Sequence, residues 1–179
     1  MLDLSARRLL CACRACSILF DREGAGGSHY RLVPDRCRLV VDFELDDVLW
    51  GRLRLPVDMA FFFTNSADGR TVAFYPSPLG ATESLLELEA WQDLVARNPV
   101  LAELEEDVEA LLVNRTGQGH EHWLVPVDRC YALVGLIKTR WKGLAGGEEV
   151  WEEIREFFAA LRRESQDVTK LGKEADSWH

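Results

Sequence analysis

With 179 residues and 47% apolar content, the chain can bury one ordinary hydrophobic core. Its net charge of −9 argues against nucleic acid as a principal partner, and its apolar runs fall far short of a membrane span. Five cysteines, an odd number with three clustered, suit a thiol-reduced cytoplasmic setting better than a secreted disulfide scaffold. The stretch after Arg7 and Arg8 is too short, and too soon rich in Arg and Cys, for a signal peptide.

The first chemistry comes at once. Cys13-x-x-Cys16 is the spacing at which two thiolates turn onto one zinc ion, and Cys11 lies close enough to join them. A structural zinc site needs four ligands, so this is half a site, which His29, Cys37 or another residue would have to complete. Zinc is the first reading. Inert thiols come second, and a redox dithiol or iron–sulfur role third, because no thioredoxin-like βαβ pattern follows. Residues 1–40 hold seven arginines against four acids, a net of +3, which leaves −12 for the remainder. This basic end can simply solvate a small surface, or it can dock on an acidic partner. Residues 1–28 thus read as a cysteine-rich segment ending in a glycine-rich loop, 29–165 as the body, and 166–179 as a polar, frayed tail.

Within the body, Tyr30–Val33 and Arg38–Phe43 are short strand candidates, and Asp46–Trp50 starts a short helix. Val57–Asn65 and Thr71–Tyr75 form a hairpin around Asp68-Gly69, and the run Phe61-Phe62-Phe63 marks a central strand covered on both faces. Pro76 to Gly80 break the pattern. A helix from about Thr82 to Ala96 follows, with Ser84-x-x-Glu87 as a capping box and Leu85, Leu88, Trp91 and Val95 as its apolar stripe. Asn98-Pro99 open a short helix carrying Leu101 and Leu104. Ala110–Arg115 and His122–Val127 make a second hairpin. A helix over Arg129–Trp141 buries Tyr131, Val134 and Ile137, with Gly135 suggesting a close neighbour, and an amphipathic helix spans Glu148–Glu164. Two hairpins with helices between and after them predict an α+β fold: an antiparallel sheet with covering helices, preceded by a short cysteine knuckle.

Other constellations are weaker. His120 and His122 could share a face of a strand, but they sit beside glycines at a hairpin tip. Cys130 reads as core rather than nucleophile. The acidic run Glu103, Glu105, Glu106, Asp107 and Glu109 reads as a solvated helix edge rather than paired catalytic carboxylates. The glycine-rich stretches 24–27 and 143–147 lack the Lys-Ser/Thr ending of a phosphate-binding loop.

Longer phrases carry a resemblance: Leu10-Cys11-Ala12-Cys13-Arg14-Ala15-Cys16, Ala73-Phe74-Tyr75-Pro76-Ser77-Pro78, Asp107-Val108-Glu109-Ala110-Leu111-Leu112-Val113 and Cys130-Tyr131-Ala132-Leu133-Val134-Gly135-Leu136. With Trp141-Lys142-Gly143-Leu144 and Gly146-Gly147, they resemble an uncharacterised actinobacterial family of unknown function whose genes often accompany nickel–iron hydrogenase clusters. The resemblance runs from Leu2 to about Arg163. It implies that members begin earlier, with a Cys-x-x-Cys pair and a His-rich segment just before Leu2-Asp3-Leu4. Cys11, Cys13 and Cys16 would then be the second half of a zinc- or rubredoxin-like knuckle, and Met1 would fall inside it.

The function expected is a non-catalytic, metal-binding accessory protein whose partner is a hydrogenase subunit or maturation factor. The rivals are a small thiol- or metal-dependent enzyme using Cys13/Cys16 or Cys130, and a binding module with vestigial cysteines whose function lies in the acidic body.

Overall fold

The computed structural model describes residues 1–6, 8–20, 29–117, 119–143 and 145–168. The expected glycine-rich loop and the last eleven residues of the expected tail lie outside them. The N-terminal residues build a small antiparallel sheet. Strand β1 (Leu2–Asp3) pairs with β2 (Arg8–Leu9) on one side. Helix α1 (Arg14–Phe20) carries the cysteine pair, and β3 (Tyr30–Arg31) returns to the other side of β1. Asp3 closes the first turn, its Oδ1 accepting from the Ser5 and Ala6 amides at 3.0 and 2.9 Å.

The body is built on a second, larger sheet. It takes in β4 (Arg38–Val40), the hairpin β5 (Met59–Asn65) and β6 (Arg70–Ser77), β7 (Gly80–Ser84), and the hairpin β8 (Glu109–Asn114) and β9 (Glu121–Pro126). The order is β4-β9-β8-β5-β6-β7, antiparallel throughout. Residues Gln166–Val168, which open the expected tail, form β10 and add a parallel strand outside β4.

The three phenylalanines place β5 between β6 and β8, with Phe61 and Phe62 fully buried on opposite faces. The period of two then divides the core. Phe61, Leu112 and Trp123 face helices α4 (Val127–Arg140) and α5 (Glu148–Glu164), which bring Cys130, Leu133, Ile154 and Phe158. Phe62, Leu111 and Leu124 face α2 (Asp47–Arg52) and α3 (Leu88–Arg97), which bring Leu49, Trp50 and Leu94. Each fully buried side chain of this size contributes roughly 2 kcal/mol through removal of apolar surface from water. The α+β class with helices covering an antiparallel sheet is therefore the fold, and the cysteines cluster ahead of it.

Local differences have local causes. Pro76 to Gly80 do not break β6 but turn it. Ser77 pairs with Gly80 across Pro78-Leu79, Ser77 Oγ accepts from the Leu79 amide at 3.2 Å, and Gly80 takes a φ of +124° that favours glycine. Pro76 is tolerated because the β5 pairing ends at Phe74, so no ladder partner is lost there. Thr82–Ser84 are consequently strand, and α3 starts at Leu88 with no side-chain cap from Glu87. Leu85 and Leu88 are exposed, while Ala90 and Leu94 make the buried contact. On α4, nothing lies within 4 Å of where a Cβ at Gly135 would sit, so that glycine marks no close packing, and Tyr131 is partly exposed. Asp46, by contrast, caps α2 as its sequence suggests, accepting from the Leu49 amide at 2.7 Å.

Candidate functional site: an exposed cysteine pair on a docked basic segment

Cys13 immediately precedes α1, and the Cys16 amide donates to its Sγ at 3.5 Å. That bond foremost, and then the Cys16 thiol, hold the Cys13 thiol below its ordinary pKa. The Cys16 thiol is raised by its hydrogen bond to Cys13, by the Cys13 charge and by burial. Cys11 and Cys13 are exposed and Cys16 is half-buried. The two thiols of the pair are thus turned together, one more acidic than the other, on an accessible surface.

The segment bearing them is tied down. The Met1 ammonium donates to the Leu10 carbonyl at 3.0 Å and the Leu10 amide to the Met1 carbonyl at 2.8 Å, closing β2 onto β1. From β3 onward, arginines reach the acidic run. Arg31 Nη1 donates to the Glu106 carbonyl at 2.8 Å, and Arg38 pairs with Glu103 at 2.5 Å. Arg36 grips Glu109 with two bonds, at 2.6 and 2.8 Å, and Glu105 with a third at 3.1 Å.

The acidic run is a solvated helix edge only in part: Glu103, which ends a short 3-10 helix, Glu105 and Glu106 are exposed, whereas Asp107 is buried with a φ of +66° and Glu109, which opens β8, is 1% exposed. Burial raises the Glu109 carboxyl most, but its bonds from Arg36 and the Glu105 amide, with the Arg36 and Arg38 charges, bring the net value below the ordinary range. The Arg36 guanidinium is raised, chiefly by its bonds to Glu109. Arg31, Arg36 and Arg38 thus each find an acceptor on this run within the chain, and the charge asymmetry is in part an internal docking interface.

Among the described residues, no three His, Cys, Asp or Glu side chains come together as ligands. Cys37 points into the core beside β4, where burial foremost pushes its thiol up. His29 is exposed at the start of β3 and joins no ligand group. Cys130 is wholly buried against the sheet, and burial lifts its thiol well above the ordinary range, which makes it inert core. His120 precedes β9 and is exposed, whereas His122 is buried with its ring stacked 4.4 Å from Phe43. The two imidazoles do not form a shared ligand set. No described helix is long and apolar enough to cross a membrane.

Sequence reading missed the pairing of Arg36 with Glu109, which lie 73 residues apart. The signal that bears on it is the charge contrast between the first forty residues and the run from 103 to 109.

Neither a curated protein nor a solved structure matches the chain. Residues 1–165, from the small N-terminal sheet to the end of α5, match a family of unknown function, DUF5947. The chain belongs to that family.

Proposed function

We propose that this chain is a non-catalytic accessory protein that holds Cys13 and Cys16, with Cys11 beside them, toward a protein partner. The observation that carries the reading is the contrast between the accessible thiols and the small sheet beside them, whose β1 pairs with β3 and whose Arg31 bonds the Glu106 carbonyl of the body. A stable body fixes where the thiols stand, and its own two cysteines, Cys37 and Cys130, are buried in the core. The resemblance to proteins encoded beside nickel–iron hydrogenase genes suggests the partner: a hydrogenase subunit or maturation factor, met in the cytoplasm. Two thiolates are half of a tetrahedral zinc donor set, so zinc held here takes its other ligands from the partner or a second copy of the chain. Bound there, the metal supplies a structural cross-link between the two.

The test is co-purification of the tagged chain with a hydrogenase subunit, with zinc measured per chain by mass spectrometry. Retention of the subunit together with zinc, both lost in the Cys13→Ser/Cys16→Ser double variant, is the expected result. Retention that survives the double variant moves the function to the acidic body, and normal hydrogenase maturation in a deletion strain overturns the reading.

One observation favours a second reading, a thiol-exchange enzyme. The more acidic Cys13 beside the less acidic Cys16 is the asymmetry of an attacking and a resolving thiol. Catalysed reduction of a model disulfide that is lost in Cys13→Ser would favour that reading.

A further inference from the structure

Strand β7 closes one edge of the large sheet, and its outer side pairs with no other described strand. Such an edge offers a row of backbone amides and carbonyls to another chain, and proteins usually blunt it with lysine, proline, a bulge or a cover. The sequence of β7, Gly80-Ala81-Thr82-Glu83-Ser84, holds no lysine or proline, and its unbroken register with β6 leaves no bulge. Its single charge, Glu83, is paired with Arg70 of β6 at 3.4 Å.

Two leucines flank the strand, Leu79 in the turn before it and Leu85 directly after it. Each is 92% exposed, more than any other large apolar side chain described. A shallow groove lined by Pro56, Tyr75, Leu85 and Leu86 opens at the end of the strand.

The spacing is symmetric about Thr82. Two copies of β7 laid antiparallel about a twofold axis at Thr82 set Leu79 of each copy opposite Leu85 of the other. Gly80 then meets Ser84, Ala81 meets Glu83, and Thr82 meets its own equivalent, a favourable cross-strand pair. Neighbouring registers are worse. An axis at Glu83 sets two carboxylates face to face, and an axis at Ala81 sets Leu79 against Glu83. The strand is thus complementary to itself in one register, which favours a second copy over an unrelated strand at this edge.

We propose that this edge is a homodimer interface. Strand β7 pairs antiparallel with β7 of a second copy about Thr82, so the sheet continues across both chains. Leu79 of each copy packs on Leu85 of the other and seats at the groove beside it. No cysteine lies on the strand or in the groove, so the interface is separate from the cysteine pair and its proposed partner.

The test is sedimentation equilibrium of the full chain over a dilution series. A chelator and a thiol reductant are present, so that association through the cysteines does not contribute. A reversible monomer–dimer equilibrium is the expected result. Leu79→Lys and Leu85→Glu, both at exposed positions outside the core, are each expected to weaken dimerisation at least tenfold. Combined in one chain, the two substitutions place opposite charges across both leucine contacts and are expected to restore most of the lost affinity. A chain that stays monomeric throughout would overturn the proposal. So would single variants that dimerise as well as the parent, or a double variant that dimerises no better than the single ones.

Discussion

Replacing Arg36 with alanine is expected to destabilise the fold by about 2–3 kcal/mol in urea unfolding at pH 7. The cost comes from what remains. Glu109 is 1% exposed, and without Arg36 its carboxylate keeps the Glu105 amide bond but loses both guanidinium bonds. Arg36 itself is 47% exposed in its side chain, so it can return to water when Glu109 is the residue changed. Glu109→Gln is therefore the milder change, about 1–2 kcal/mol, because the amide still accepts from Arg36. The pH dependence has a definite sign. The Glu109 carboxyl is lowered in the folded chain, so the pair's stabilisation is fully present above the unfolded carboxyl value, about 4.5, and is lost as pH falls through the lower folded value. A change below about 0.5 kcal/mol for Arg36→Ala, within the range of an ordinary surface substitution, would show that the N-terminal segment is not clamped through this pair.

The second large effect belongs to His122. Burial foremost, then the His120 and Arg115 charges, push its imidazole down to about 4. Its Nε2 is buried without a partner and its ring lies flat on Phe43, so the fold favours the neutral form. The unfolded imidazole takes its proton near 6.5, while the folded one resists until about 4. His122's contribution is thus complete above pH 6.5 and is lost as pH falls toward 4, a loss of about 3 kcal/mol in unfolding free energy. Urea titrations at half-unit pH intervals read this directly, and His122→Phe should flatten the slope between pH 6.5 and 4.5, a window above that of Glu109. An unchanged slope in that variant would place the titrating group elsewhere.

Much of the architecture was legible because it is written in short-range patterns. The phenylalanine run, the Asp68-Gly69 turn and the 3.6-residue spacing of Val150, Ile154, Phe158 and Leu161 each specify a local geometry that the tertiary structure then uses. Strand β7 was not legible, because Ser84 and Glu87 imitate a helix start. The hairpin through Pro78-Leu79 depends instead on the particular φ of Gly80 and on cross-strand pairing with β6. Strands β1, β2 and β10, of two or three residues, were not read, whereas the equally short β3 and β4 were, because each starts a longer run with apolar residues.

The local geometry of the cysteine pair was legible, and its surroundings were not. The Cys13-x-x-Cys16 spacing announces two thiols turned together, which the Cys16 amide bond to Cys13 Sγ provides. Whether Cys37 stood beside them was a tertiary question, and strand β4 turns it into the core instead. Within the acidic run, Asp107 and Glu109 were misread because closely spaced acids look like a solvated helix edge, which Glu103, Glu105 and Glu106 are. Glu109 owes its burial to a partner 73 residues away, which no local window contains.

The account rests on Cys11 and Cys13 held in the open with a half-buried Cys16 beside them, and on two thiols sealed in the core. Iodoacetamide labelling of the native chain, with each cysteine followed by peptide mass spectrometry, tests this most directly. Cys11, Cys13 and Cys16 should label in the folded protein, with Cys13 reacting at lower pH than Cys16, while Cys37 and Cys130 should label only on unfolding. Protection of Cys13 and Cys16, or labelling of Cys37 and Cys130 at the same rate as the others, would contradict the account.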